Sequence, residues 1–254
     1  MKVAGLPDAA LGHLLCSMAD DELVIGFSDL IGTGIAPSPE EDVALVSLAR
    51  DEIGHAAALF GLLGELTGGD PDLIAYDREP VEYRHCHLLD HGRGDWSIVV
   101  ARRYLYETSE VVRLEALVDG AWAPLADLAG TLALEEHYQL MHVQAWLGRL
   151  ADTSGASRDR LLAALQLLAT DAGTVFTPLP GESALIDAGI LASPMSDLEA
   201  RWRASIAQTF EVHRLPMPPL ARDPERGRQD HGSDFAWLWG EFNAVRRSDP
   251  GVTW

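Results

Sequence analysis

The sequence has few cysteines and few positive charges. Its 254 residues include 2 cysteines, and 19 Lys and Arg side chains stand against 39 Asp and Glu, which gives a formal net charge of −20. Cys16 and Cys86 cannot form a disulfide framework, and the absence of a Cys-x-x-Cys pair argues against a zinc ribbon. A surface this acidic repels phosphate groups, so we expect no nucleic-acid partner.

Long apolar runs are also absent. No stretch of 18 apolar residues occurs, so the sequence predicts no membrane span. The first residues contain one Lys and no unbroken apolar core, which argues against a secretion signal. Two reduced thiols in a chain without these signals predict a cytoplasmic protein.

Strand-like alternation is scarce, whereas apolar residues recur with a helical period almost throughout. The pattern predicts an all-α fold: a helical bundle with additional C-terminal helices, forming one domain over residues 1–254, with a C-terminal extension at about 215–254. Four long helices are expected at about 8–31, 38–67, 95–118 and 122–150, and shorter ones at about 157–176, 182–188, 196–214 and 234–247. Ser38 and Asp95 are the expected caps of the second and third long helices.

Five residues interrupt the otherwise apolar helix faces: Glu22, Glu52, His55, Glu107 and Glu135. Glu52 and His55 are three residues apart, which places both on one helix face. A Glu on each of two helices and a Glu-x-x-His on each of the other two is the ligand set of a di-iron carboxylate bundle. The order along the chain matches that set, except that the residue three after Glu135 is Tyr138 rather than His.

Three interpretations of these residues stay open at this point. They could form a working metal site, or a degenerate site that keeps the geometry without a catalytic metal. They could also be acids on solvated faces, or acids paired with Arg50, Arg102 or Arg103. We expect the five side chains to converge inside the bundle and to be satisfied by hydrogen bonds and at most one metal ion, because unpaired buried carboxylates are costly.

Several segments resemble a known family. They are Leu48-Ala49-Arg50-Asp51-Glu52-Ile53-Gly54-His55, Ala101-Arg102-Arg103-Tyr104, Trp146-Leu147-Gly148-Arg149-Leu150 and the C-terminal pattern Gly227-Arg228…His231…Glu241-Phe242…Arg246…Pro250…Trp254. With them the chain resembles the C subunits of bacterial phenylacetyl-CoA 1,2-epoxidase, a multicomponent monooxygenase of phenylacetate catabolism. The resemblance implies a ferritin-like fold and a homologous A subunit that holds the di-iron centre and binds the acyl-CoA. It further implies a small B subunit and a flavin/iron–sulfur reductase.

In this family the C subunit supports the A subunit, so the resemblance implies a structural subunit with no catalytic residues of its own. No cofactor is then expected, although iron is an ion that the remaining ligands could hold. Glu52 and His55 depart from the family, whose C subunits usually have Asp-x-x-Gly-Gln there, whereas Tyr138 follows it.

The alternative function is an independent di-iron oxidase or oxygenase that uses the five candidate ligands. An iron-storage protein is a third, weaker option. The cluster of Arg222, Arg226 and Arg228 could meet a phosphate or an acidic neighbour, but we expect it in a solvated loop.

Overall fold

A computed structural model describes residues 7–92, 94–220 and 227–249. Within these ranges the chain forms helices and 3₁₀ turns and no β-strand, so the predicted all-α bundle is confirmed. The α-helices are α1 (Asp8–Ile31), α2 (Pro39–Thr67), α3 (Pro71–Tyr76), α4 (Trp96–Glu115), α5 (Ala123–Asp152), α6 (Ala156–Leu168), α7 (Glu182–Asp187), α8 (Met195–Val212), α9 (Ser233–Phe242) and α10 (Ala244–Ser248). Three 3₁₀ turns lie at Pro80–Glu82, His87–Asp90 and Ala172–Phe176. None of the described helices has the length and hydropathy needed to cross a bilayer.

The two expected caps are present. The Ser38 hydroxyl accepts a hydrogen bond from the Glu41 amide at 3.4 Å, and Pro39 occupies the first turn of α2. The Asp95 carboxylate accepts from the amides of Ser97 at 2.9 Å and Ile98 at 3.3 Å at the start of α4. Each cap satisfies amides that the first helical turn cannot pair internally. These local bonds explain why both helix starts could be located from the sequence.

The α4 helix lies at the centre of the molecule. It packs against α5, α6 and α8, while α1 and α2 pack along each other as a second pair. Nearly every α4 residue is buried, including the charged residues Arg102, Arg103, Glu107, Glu110 and Arg113. Because buried charges must be paired, this helix brings a network of ion pairs into the bundle interior.

The α1 and α2 helices approach closely at Gly26. A Cβ atom at this position would lie 2.8 Å from Cγ1 of Ile53 and 2.9 Å from the Ala49 carbonyl oxygen. The close approach lets Glu22, one turn before Gly26 on α1, lie beside Glu52 on α2.

Two predicted helices are shorter than expected. The helix expected at 157–176 ends at Leu168 and resumes as the 3₁₀ turn Ala172–Phe176, and just after its end the Thr170 hydroxyl donates to the Leu167 carbonyl at 3.0 Å. The helix expected at 234–247 is interrupted at Asn243, whose side-chain amide donates to the Trp239 carbonyl at 3.2 Å. In both cases a short polar side chain bonds the backbone locally and competes with helix continuation.

The segment 227–249 packs back onto the bundle rather than extending away from it. The expectation that Arg228 is solvated was wrong, because this side chain is buried and its Nη1 donates to Oδ1 of Asp21 at 3.0 Å. Its Nη2 donates to the Val175 carbonyl at 2.6 Å. Arg222 and Arg226 lie outside the described residues.

Candidate metal centre

The four long helices α1, α2, α4 and α5 bring a set of acidic side chains and one imidazole together in the bundle interior. Glu22, Glu52, His55 and Glu107 are all between 0% and 3% exposed. The structure therefore buries four of the five residues singled out from the sequence. Their role as metal ligands stays a prediction.

The fifth residue, Glu135, was assigned to the interior one position too early on α5. Its side chain is 56% exposed, whereas Glu136 is 1% exposed and points inward. Leu132 and Val143 mark the buried face of α5, and Glu136 follows Leu132 by four residues on that face. The helical period of the apolar residues could have identified Glu136. Glu135 still contacts the cluster from outside, through a 2.7 Å hydrogen bond with Nε2 of His55.

The first half of the cluster surrounds Nδ1 of His55. This nitrogen lies 3.1 Å from Oε1 of Glu136, 3.5 Å from Oε2 of Glu52 and 3.7 Å from Oε2 of Glu22. None of these contacts has hydrogen-bond geometry, and Nδ1 and one oxygen of each carboxylate lack a hydrogen-bond partner. One ligand atom from each of the four residues lies within 4.8 Å of every other, so this buried group could hold a metal ion.

The second half of the cluster surrounds the Arg103 guanidinium. Its Nη2 donates to Oε1 of Glu52 at 2.9 Å, and its Nη1 donates to Oε1 of Gln139 at 3.0 Å and to Oε1 of Glu107. Its Nε donates to Oδ2 of Asp29 at 2.6 Å. One fixed cation thus binds four acceptors that come from four different helices.

This arrangement does not fit a pair of iron ions. On α5 the interior Glu-x-x-His motif would consist of Glu136 and residue 139, but residue 139 is Gln. The space between Glu107, Glu52 and Gln139 is bridged by Arg103, whose positive charge would repel a second metal ion. Of the three interpretations from the sequence, the pairing of acids with Arg103 describes this half.

Burial and neighbouring charges shift the carboxyl groups of the cluster in different directions. Burial raises the pKa of Glu22 and Glu136, and the Glu52 carboxylate adds to both shifts. Burial would also raise the pKa of Glu52, but the Arg103 guanidinium outweighs it and lowers this pKa to about 2. For Glu107, burial prevails over Arg103 and raises the pKa to about 7. Without a metal ion, part of this cluster therefore binds protons at neutral pH.

A neighbouring ion-pair network supports the cluster from the α1 side. The Tyr106 hydroxyl donates to Oε1 of Glu22 at 3.0 Å. Further along α4, Arg113 donates to Glu110 and to Oδ2 of Asp21, the latter at 2.7 Å. Sequence reasoning missed Tyr106 and Arg113, because nothing local distinguishes a buried tyrosine or arginine on a polar helix.

A second group of titratable side chains lies outside the four-helix core. Nε2 of His85 lies 2.6 Å from Oδ1 of Asp90, and Nδ1 of His231 lies 3.1 Å from the same oxygen. The two imidazole rings stack at 3.8 Å with an interplanar angle of 7°. His231 also reaches the Tyr83 carbonyl at 3.1 Å. Because the stacked rings both bond Asp90, this group joins the C-terminal segment to the loop that precedes α4.

Comparisons with known proteins identify related sequences. The sequence model of the family described as phenylacetic acid catabolic protein matches residues 5–254. The chain is also similar to the C subunit of the 1,2-phenylacetyl-CoA epoxidase of Escherichia coli (strain K12). The two are 25% identical over 223 residues, which cover 87% of this chain and 90% of the relative.

Proposed function

Because this chain belongs to the phenylacetic acid catabolic protein family, we propose that it is the structural C subunit of a phenylacetyl-CoA 1,2-epoxidase. In that complex it supports a homologous catalytic A subunit that holds the di-iron centre, and B and reductase components complete the assembly. The chain itself performs no oxygen chemistry. It acts in the cytoplasm, and residues 1–254 form one domain.

The observation that supports a non-catalytic role is the position of Arg103. Activation of O₂ at a di-iron centre needs two ions with open coordination positions. In this chain a guanidinium binds Glu52 and Glu107 in the half of the cluster that a second ion would need. The oxidising chemistry is therefore assigned to the partner.

The second candidate is an independent di-iron oxidase or oxygenase that uses Glu22, Glu52, His55, Glu107 and Glu135. The approach of three carboxylates to His55 favours a residual ion, and it is the one observation on the side of this candidate. Two residues argue against this candidate. Gln139 stands where the second imidazole would be needed, and the Arg103 guanidinium that binds it places a fixed positive charge where a second ion would lie.

The partner's docking face is assigned to the outer side of α5. Leu134, Tyr138 and Met141 are 69%, 72% and 54% exposed, and their spacing of four and three residues aligns them in one stripe. Glu135 is the one exposed acid between Leu134 and Ala145, although the whole chain has a net charge of −20. An uncharged apolar stripe on so acidic a protein suits a helix of a homologous subunit.

The test is co-purification with the catalytic subunit. We expect the two chains to elute together at micromolar concentration, and we expect the isolated chain to show no turnover of phenylacetyl-CoA. The double variant L134E/Y138E should weaken the association at least tenfold. L167E, which alters an exposed leucine on α6, should not. Separate elution of the wild-type chains would refute the structural role, and turnover by the isolated chain would support the second candidate.

A further inference from the structure

We propose that the bundle binds one divalent transition-metal ion, held by Glu22, Glu52, His55 and Glu136, and that Arg103 stands permanently in place of a second ion. This inference concerns the chain alone. It holds whether or not the chain assembles with an epoxidase, and its test needs no partner.

The atoms around His55 lie close enough together to share one ion. Ligands bound about 2.1 Å from one ion lie at most about 4.2 Å apart. The four candidate atoms already lie within 4.8 Å of one another, so a shift of a few tenths of an ångström would bring them to bonding distance. The Nδ1 atom of His55 faces all three carboxylates and forms a hydrogen bond with none of them.

The imidazole of His55 is oriented with Nδ1 towards the inner carboxylates. Nε2 of His55 lies 2.7 Å from Oε2 of Glu135, and an ionised carboxylate only accepts hydrogen bonds, so Nε2 donates. In the neutral imidazole this leaves the Nδ1 lone pair directed at the three inner carboxylates. An outer carboxylate that fixes the tautomer of a metal-binding histidine is a common feature of metal sites. Glu135, on the exposed side of α5, is therefore a positioning residue.

Three buried carboxylate oxygens of the cluster are unsatisfied. Oε2 of Glu22, of Glu52 and of Glu136 has no hydrogen-bond donor, and all three residues are 0–1% exposed. The guanidinium that contacts this cluster, Arg103, already binds Glu52, Glu107 and Asp29. Buried carboxylates need a cation or protons. Without a metal ion the cluster is balanced by bound protons, and a divalent ion at this position would take their place.

The ligand types indicate the class of ion. Three carboxylates with one imidazole suit Fe²⁺, Mn²⁺ or Zn²⁺, whereas Mg²⁺ prefers oxygen ligands alone and retains several waters. The available ligands also limit the site to one ion. Glu107 binds Arg103 and is not among the four residues whose ligand atoms lie within 4.8 Å of one another, so it is a partner of the arginine and not a ligand.

The experiment measures stoichiometry and ligation on the full chain. Chelator-treated protein is titrated with Mn²⁺, Co²⁺ and Zn²⁺, and bound metal is counted by mass spectrometry after gel filtration. We expect one equivalent, a rise in melting temperature, and an isolated six-line Mn²⁺ EPR spectrum without exchange coupling. Spin-echo modulation from one imidazole nitrogen in the wild-type protein would identify His55 ligation without any variant.

Variants then locate the ion. E136Q and H55A should weaken binding at least a hundredfold, and E135Q should weaken it about tenfold, since it disturbs only the orientation of the ring. E107Q should change affinity less than threefold. E65Q, the same substitution at an exposed position of α2, is the matched control, and circular dichroism checks the fold of each variant.

Three results would overturn the proposal. Two equivalents with an exchange-coupled spectrum would show a dinuclear site, and a folded wild-type chain that binds none of the three metals would show a site filled by protons. One equivalent without imidazole modulation, or with undiminished affinity in folded E136Q and H55A, would place the ion elsewhere. All of these measurements are made on the chain alone. A failure to co-purify with the catalytic subunit would refute the proposed function without changing them, so the two proposals fail independently.

Discussion

At the scale of single residues, Arg103 determines the character of the interior. It is 2% exposed and donates hydrogen bonds to three carboxylates and one amide oxygen. Burial by itself would lower its pKa, but Glu107, Asp29 and Glu52 raise that pKa well above its usual value, so the guanidinium is charged at every pH that the fold tolerates. A fixed charge with several acceptors keeps the α2, α4 and α5 side chains in one arrangement.

Replacing Arg103 with Met should destabilise the chain by about 3–5 kcal/mol, because Glu52 and Glu107 would lose their buried counter-charge. Urea unfolding followed by circular dichroism measures this difference. The matched control is R50M, at an exposed arginine on α2, which should change the unfolding free energy by less than about 0.5 kcal/mol. Equal stability of R103M and wild type would contradict the ion-pair role.

His85 predicts a loss of stability in mild acid. Its full burial lowers its pKa to about 4, against the opposing effect of Asp90, and the stacked ring of His231 lowers it further. In the unfolded chain the His85 imidazole has a pKa of about 6.5. Between about pH 6.5 and 4 it therefore binds a proton that it does not bind in the folded chain. The contribution of neutral His85 is therefore complete above about pH 6.5 and declines as the pH falls towards 4.

Between pH 6.5 and 4, we expect protonation linked to His85 to lower the unfolding free energy of the wild type by up to roughly 3 kcal/mol. A variant H85N should show a flatter pH dependence across that window, measured by urea unfolding at half-unit steps. H13N, at an exposed histidine of α1, should retain the wild-type slope. Identical slopes in wild type and H85N would rule out this assignment.

At the scale of the helices, close contact between α1 and α2 depends on Gly26. The absence of a side chain at this position allows the Ala49 backbone and the Ile53 side chain to approach within van der Waals distance. Glu22 and Glu52 depend on that separation, because they meet between the same two helices. A wider spacing would move the two carboxylates apart.

G26A should therefore destabilise the protein by about 1–3 kcal/mol, although alanine has the higher helix propensity. G61A on α2 is the matched control, since a Cβ there meets no atom within 4 Å and should stabilise the helix by up to about 1 kcal/mol. Thermal melts of the two variants should shift in opposite directions. A stabilised G26A would show that the helices can separate without cost.

Features that depend on local bonds could be predicted from the sequence, whereas those that depend on several helices could not. The caps Ser38 and Asp95 bond amides within three residues, so the starts of α2 and α4 were located correctly. The i,i+3 pair Glu52 and His55 was found in the same way. The role of Arg103 was open until the structure brought acceptors from four helices to it, because a helix with many charges is usually exposed.

At the scale of the whole molecule, the C-terminal segment is fastened to the first helix. Nη1 of Arg228 reaches Oδ1 of Asp21 across 207 positions in the sequence, and Nε1 of Trp239 donates to the Arg78 carbonyl at 2.9 Å. Burial would raise the pKa of Asp21, but Arg228 and Arg113 outweigh it and lower that pKa. The C-terminal segment thus supplies one of the two arginines that neutralise the buried Asp21 on α1.

R228M should reduce the unfolding free energy by about 3 kcal/mol at neutral pH, since it leaves the buried Asp21 with one arginine. The difference should shrink in acid as Asp21 becomes protonated, which a pH series of urea titrations would detect. R160M serves as control, because Arg160 and Asp95 form an exposed pair at 3.9 Å that contributes little. If R228M were as stable as the wild type, the contact between the C-terminal segment and α1 would not contribute to the stability of the bundle.

The replacement of an ion by Arg103 also changes what the chain needs from its surroundings. A guanidinium is made with the polypeptide, so it cannot be withheld during iron starvation, removed by a siderophore or altered by peroxide. Half of the polar interior is therefore complete as soon as the chain has folded, whatever the iron supply of the cell. In the proposed epoxidase, this half of the cluster would be in place before the catalytic subunit has acquired its metal.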